Sequence, residues 1–203
     1  FKIRITSGDY NDFANFQLTV MPLFGDIDIN NVATTISSIG RIGFADDGDN
    51  QEGLGFLYNH GNNLLFEGAI IAGTGPNNIV SSARGGEVGG TVGYDRDFAS
   101  LEGLDLQINS PGEKSDQQSL TIYQDSAADN PLNVEITQET FAFSESPNDD
   151  FVFFNFAIEN KKSTPITNFH FGLFFDWDID GEFYGTNQTA FDADRNLGYA
   201  FDT

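Results

Sequence analysis

A chain of 203 residues with 9 Lys plus Arg against 31 Asp plus Glu carries a formal net charge of -22. It therefore repels nucleic acid and anionic lipid, and attracts cations. The absence of cysteine excludes disulfides, zinc–thiolate sites and a thiol nucleophile, and no stretch approaches the ~18 apolar residues of a membrane helix.

The dominant hydrophobic period is two, and 21 Phe with 22 Gly suit pleated, half-buried surfaces joined by tight turns. In chain order the pattern predicts strands at Lys2–Thr6, Phe13–Val20, Gly40–Ala45, Leu54–Asn59, Asn63–Gly73 and Ile79–Ser82. Further strands are predicted at Leu101–Ile108, Leu120–Gln124, Asn133–Phe143, Asp150–Glu159, Asn168–Asp178 and Leu197–Phe201. Turn chemistry separates them, as in DDGDN (46–50), NHGNN (59–63), GTGPNN (73–78), SPGEKSD (110–116), SPNDD (146–150) and NKKSTP (160–165). No stretch of ten or more residues carries a helical period.

The second half patterns most cleanly. In 151–158 both faces are largely apolar, which predicts a central strand covered on both sides. In 169–178, Phe169, Phe171, Leu173, Phe175 and Trp177 share one face, predicting a buried Trp177, while His170, Gly172, Phe174, Asp176 and Asp178 share the other. Long antiparallel strands with short polar turns predict an all-β chain folded as an antiparallel β-sandwich. We read residues 1–203 as a single domain, with a possible two-lobe division near 110–118. A start at Phe1 and a stop just after LGYAFD read as a piece of a longer protein.

The most specific polar motif is D-W-D-I-D-G at 176–181, whose one-three-five aspartates followed by glycine open a calcium loop. Asp176, Asp178 and Asp180 would be side-chain ligands and Glu182 would offer its backbone carbonyl. Asn187, at the twelfth position, replaces the usual bidentate Glu and weakens the site unless Asp192 or Asp194 reaches in. Gly181 would let the chain turn, since along a straight strand alternate carboxylates lie roughly 6.6 Å apart. Asp26–Asp28–Asn30 and Asp192–Asp194–Asn196 share the spacing without the glycine. Alternation on an edge strand accounts for the first.

Catalysis has less to stand on. The two histidines, His60 in a turn and His170 on a strand, accompany no G-x-S-x-G. Among the many acids, Glu135 with Glu139, or Glu67 with a neighbour, are carboxylate pairs to weigh as a glycosidase couple. Glu67 interrupts the apolar LLFEGAII, so it faces water or pairs with an arginine. Glycan binding is the second open route, with Trp177, Tyr58, Tyr94, Tyr123, Tyr184 and Tyr199 as candidate platforms and Tyr184 the best placed for exposure.

The stretches GRIGFADDGDNQEGLGFLYNHGNNLLFEGAIIAGTGPNNIVSSARG (40–85) and NPLNVEITQETFAFSESPNDDFVFFNFAIENKKSTPITNFHFGLFFDWDID (130–180), with Asp192 to Tyr199 after them, carry a resemblance. They resemble accessory modules found downstream of subtilisin-like protease domains, and in other large exported or surface proteins, of Bacteroidetes-type bacteria. The resemblance covers most of 40–203 and brings no assigned ligand residues. It implies a non-catalytic, secreted or cell-surface module, structural or adhesive, whose partners are neighbouring domains of the parent protein. Calcium would stabilise it; the alternative is a carbohydrate-binding or carbohydrate-active domain.

Overall fold

A computed structural model describes residues 23–45, 52–88, 91–101, 104–179 and 184–203. The strands expected at 2–6 and 13–20 and the turn at 46–50 lie outside the described residues. In chain order the strands are β1 (Phe24–Ile27), β2 (Val32–Ser37), β3 (Arg41–Ile42), β4 (Phe56–Tyr58), β5 (Leu65–Gly75), β6 (Asn78–Ser81), β7 (Arg84–Val88) and β8 (Thr91–Tyr94). There follow β9 (Ala99–Ser100), β10 (Leu106–Asn109), β11 (Gln117–Gln124), β12 (Val134–Ala142), β13 (Val152–Asn160) and β14 (His170–Trp177). A 3-10 turn at Tyr184–Thr186 precedes β15 (Gln188–Asp192) and β16 (Leu197–Phe201).

Among the described residues the first sheet runs β1-β2-β3-β5-β14, with β4 also on β2 and β6 on β5. The second runs β10-β11-β12-β13, with β9 on β11, and β7–β8 and β15–β16 are separate hairpins. The pairings are antiparallel throughout. The polar stretch at 110–116 simply joins β10 to its neighbour β11. Strands from opposite halves of the chain, β5 and β14, share the first sheet.

The sheets pack face to face as a sandwich. Ile70, Ala72 and Val80 of the first sheet meet Tyr123, Val134 and Ile136 of the second in one apolar cluster. Ile27, Ile36 and Ile42 meet Leu106 and Ala142 in another. Each fully buried isoleucine contributes about 1.5–3 kcal/mol. β11 and β12 alternate buried and half-buried residues along their whole lengths, as a strand with one covered face should.

Between the clusters the inner face of the second sheet is polar. Ser119 lies opposite Thr140 and Thr121 opposite Gln138, all fully buried. Tyr123 donates its hydroxyl to Gln138 Oε1 at 2.8 Å, and burial pushes the phenol well above its ordinary pKa. The hydroxyls of Ser119, Thr121 and Thr140 and Gln138 Nε2 have no hydrogen-bond partner among the described residues.

Gln117 closes one side of the sandwich. From β11 its Oε1 accepts from the backbone N–H groups of Asp28 (2.7 Å) and Ile29 (3.0 Å), just beyond β1. Its Nε2 donates to Asp26 O and Asp28 Oδ1, both at 3.2 Å. The Asp26–Asp28–Asn30 run thus serves an edge strand: Thr35 donates to Asp26, and Asn30 donates to Phe151 O.

The opposite side departs from expectation. β13 is not central but the last strand of its sheet. Val152, Phe154, Phe156 and Ile158 turn inward and are half-buried, whereas Phe153 is 44% exposed on the outer face beside Asn155 and Ala157. A strand apolar on both faces needs two covers only if nothing else shields its rings. Here Phe153 leans on Phe143 and Phe151, at 6.0 Å in each case. β14, the facing edge strand, reaches across through Phe171 to Phe156 at 5.2 Å. Leu173 and Phe174 remain exposed.

Candidate functional site

The predicted calcium loop begins where β14 ends. Its register against β5 slips between Asp176 and Trp177, placing Asp176 opposite Glu67 and Trp177 opposite Leu65. Trp177 is half-buried rather than buried, edge-on to Phe56 at 5.2 Å and stacked on Phe175 at 5.3 Å. Asp176 is exposed. Asp178 follows the strand, its N–H donating to Leu64 O at 2.9 Å, and its Oδ1 is shielded from solvent with no hydrogen-bond partner among the described residues. Asp180 and Glu182 lie outside the described residues. At the far end, Oδ1 and Nδ2 of Asn187 are likewise shielded and without a partner among the described residues.

Asp192 and Asp194 belong to the turn between β15 and β16. Asp192 Oδ1 accepts from the N–H groups of Asp194 (3.0 Å) and Arg195 (3.1 Å), and its Oδ2 accepts from Arg195 Nη1 at 2.7 Å. That carboxylate is committed to shaping its own turn. Among the described residues no three Asp, Glu, His or Cys side chains form a group able to hold a metal ion.

The carboxylate pairs fare worse. Glu135 and Glu139 stand four residues apart on β12, about 13 Å at the strand rise, beyond the roughly 5–9.5 Å span of a glycosidase pair. Glu139 accepts from Lys114 Nζ at 2.6 Å and Asn155 Nδ2 at 2.9 Å. The Lys114 hydrogen bond, then the Asn155 one, hold it below the ordinary carboxylate pKa, the reverse of what a general acid needs. Glu135 accepts from Gln124 and faces Lys161 at 3.5 Å.

Glu67 does not face water: it is 2% exposed. Because Arg41 pairs with Ala69, Glu67 and Arg41 are diagonal neighbours on one sheet face, and both are buried. The register thus places an arginine beside Glu67 on the same face. His60 and His170 are both exposed, in a turn and on β14. Of the aromatic candidates, Tyr123 is wholly buried. Tyr58 and Tyr199 are exposed; Tyr58 donates to Asp150 Oδ1 at 3.0 Å. Tyr184 opens the 3-10 turn.

Sequence reasoning missed a cavity of about 360 Å³ on the outer face of the second sheet. Gln107, Asn109, Gln118 and Leu120 form its floor, and Pro111, Gly112 and Glu113 its wall. The signal was present in L-Q-I-N, where amides alternate with inward Leu106 and Ile108, but it reads as an ordinary wet strand face. Comparison with family models, curated proteins and solved structures found no match.

Proposed function

We propose that the chain is a non-catalytic structural or adhesive module of a secreted or cell-surface bacterial protein, stabilised by calcium held in the loop from Asp176 to Asn187. The observation that supports this best is that Asp178 Oδ1 and Asn187 Oδ1, toward the two ends of that loop, are shielded and have no hydrogen-bond partner among the described residues. A buried acceptor left unpaired costs about 1–3 kcal/mol, more when charged. A divalent cation would satisfy both oxygens and neutralise Asp176, Asp178 and Asp180 together. Asp192, with its oxygens engaged, drops out of the proposed ligand set. An Asn in place of the bidentate Glu suits a weak site, of the kind filled at extracellular calcium levels. Neighbouring domains of the parent protein are the natural cover for the Phe151, Leu173 and Phe174 side of the sandwich.

Calorimetric titration of calcium into chelator-stripped protein tests the reading. Saturable binding that Asp178→Ala and Asn187→Ala each weaken is expected. A flat titration removes calcium from the account, and hydrolysis of peptide or ester substrates lost in His170→Ala removes the non-catalytic part.

A further inference from the structure

We propose that the cavity beneath the 110–116 loop binds a neutral glycan, which names a ligand for the adhesive role and goes beyond it. The cavity has a built wall. Gly112 donates its N–H to Ser115 O at 3.0 Å, and Lys114 donates its N–H to Gln118 Oε1, also at 3.0 Å. Gly112 lies so close to Gln118 that an added Cβ would sit 2.5 Å from its Cγ, so only glycine lets the loop rest on the floor. Ser110 anchors the other flank by donating to Asp116 O.

The groups presented are chemically distinctive. No hydrogen bond among the described residues engages the side-chain amides of Gln107 and Asn109, or Gln118 Nε2, all on the cavity floor. An amide both donates and accepts, and so does a sugar hydroxyl; three amides with the Glu113 carboxylate can therefore address a set of vicinal hydroxyls. Leu120 and Pro111 supply apolar contact for the C–H face of a pyranose ring. A volume of about 360 Å³ lies within the range of small-ligand sites.

Charge selects among glycans. The protein carries -22, and the one ammonium on this loop, Lys114, is drawn away to Glu139 at 2.6 Å and lies over Phe141. Uronic-acid polymers are thus repelled, and neutral ones are not.

The test is calorimetric titration of the whole chain with soluble xyloglucan, mixed-linkage β-glucan, arabinoxylan and galactomannan, and with polygalacturonate as the anionic control. Saturable binding to at least one neutral polymer is expected. The double variant Gln107→Ala/Asn109→Ala, with unchanged thermal melting, should weaken it at least about tenfold, the loss expected when two hydrogen-bonding side chains are truncated. Tyr184→Ala should leave it unchanged. Failure of every neutral polymer to bind, indifference to the double variant or preference for polygalacturonate overturns the proposal. None of these outcomes touches the non-catalytic reading, which cleavage of the same polymers would sink instead.

Discussion

Replacing Gln117 by alanine removes the latch between the two sheets. Four hydrogen bonds go at once: those to Oε1 from the Asp28 and Ile29 amides, and those from Nε2 to Asp26 O and Asp28 Oδ1. Each backbone group left without a partner costs about 1–3 kcal/mol when fully buried. The contacts here are part-buried, so water repairs a portion, and a net loss of about 2–4 kcal/mol follows. At roughly 2–4 °C per kcal/mol for a chain of this size, Tm falls by about 4–16 °C. Differential scanning calorimetry gives the loss, and native-state hydrogen exchange gives its location. The Asp28 and Ile29 amides should lose protection while the β11–β12 ladder keeps its own. Gln117→Glu should also destabilise at neutral pH, because it sets a carboxylate against Asp26 O and the Asp28 carboxylate. A Gln117→Ala variant within ~0.5 kcal/mol of the parent, the level of an inert surface change, with both amides still protected, refutes the latch.

The polar belt behaves in the opposite sense. Thr121→Val with Thr140→Val replaces two buried, unpartnered hydroxyls by methyl groups of the same shape, so urea denaturation should show a gain of about 1–3 kcal/mol; a loss would mean that those hydroxyls are hydrogen-bonded in solution. Burial, then the carboxylates of Asp95, Asp125 and Asp129, raise the pKa of Asp97 against the lowering hydrogen bond from the Ser81 N–H. Because the folded pKa lies above the unfolded one, stability from this group is fully present below the unfolded value and is lost as pH rises through the folded one. Asp97→Asn, which keeps an acceptor for Ser81, should therefore raise Tm at neutral pH and leave it unchanged in acid below the ordinary aspartate range; a neutral-pH Tm equal to or below the parent's contradicts this.

The period-two pattern was enough to read 117–124 and 134–142, which hold one face to the core, to within a few residues, and it also placed 197–201, a strand of the exposed C-terminal hairpin. It failed for Val32–Ser37, where all six residues are buried. VATTIS mixes small polar and branched apolar residues, and a strand covered on both faces has no reason to alternate. It also misplaced 151–158, because hydrophobicity reports how much apolar surface a strand owns and not how many neighbours it has. The site was legible as spacing alone. The aspartates at 176, 178 and 180 are local information, and so is the engagement of Asp192 by Asp194 and Arg195 in its own turn, whereas the convergence of 107, 109 and 118 under a loop depends on register between strands. Glu67 is instructive in the same way. Its apolar setting required either water or an arginine, and only the β3–β5 pairing brings Arg41 to it.

Thermal unfolding of the intact chain in millimolar calcium and in EDTA tests the calcium-stabilised reading most directly. Calcium at a hundred times its dissociation constant should stabilise the fold by about 2.7 kcal/mol, which for a chain of this length raises Tm by roughly 5–11 °C. Asp178→Ala should abolish the difference and magnesium should not reproduce it. Coincident curves for the parent protein in calcium and in EDTA would contradict the account and leave the aspartates of DWDID as the solvated end of a strand.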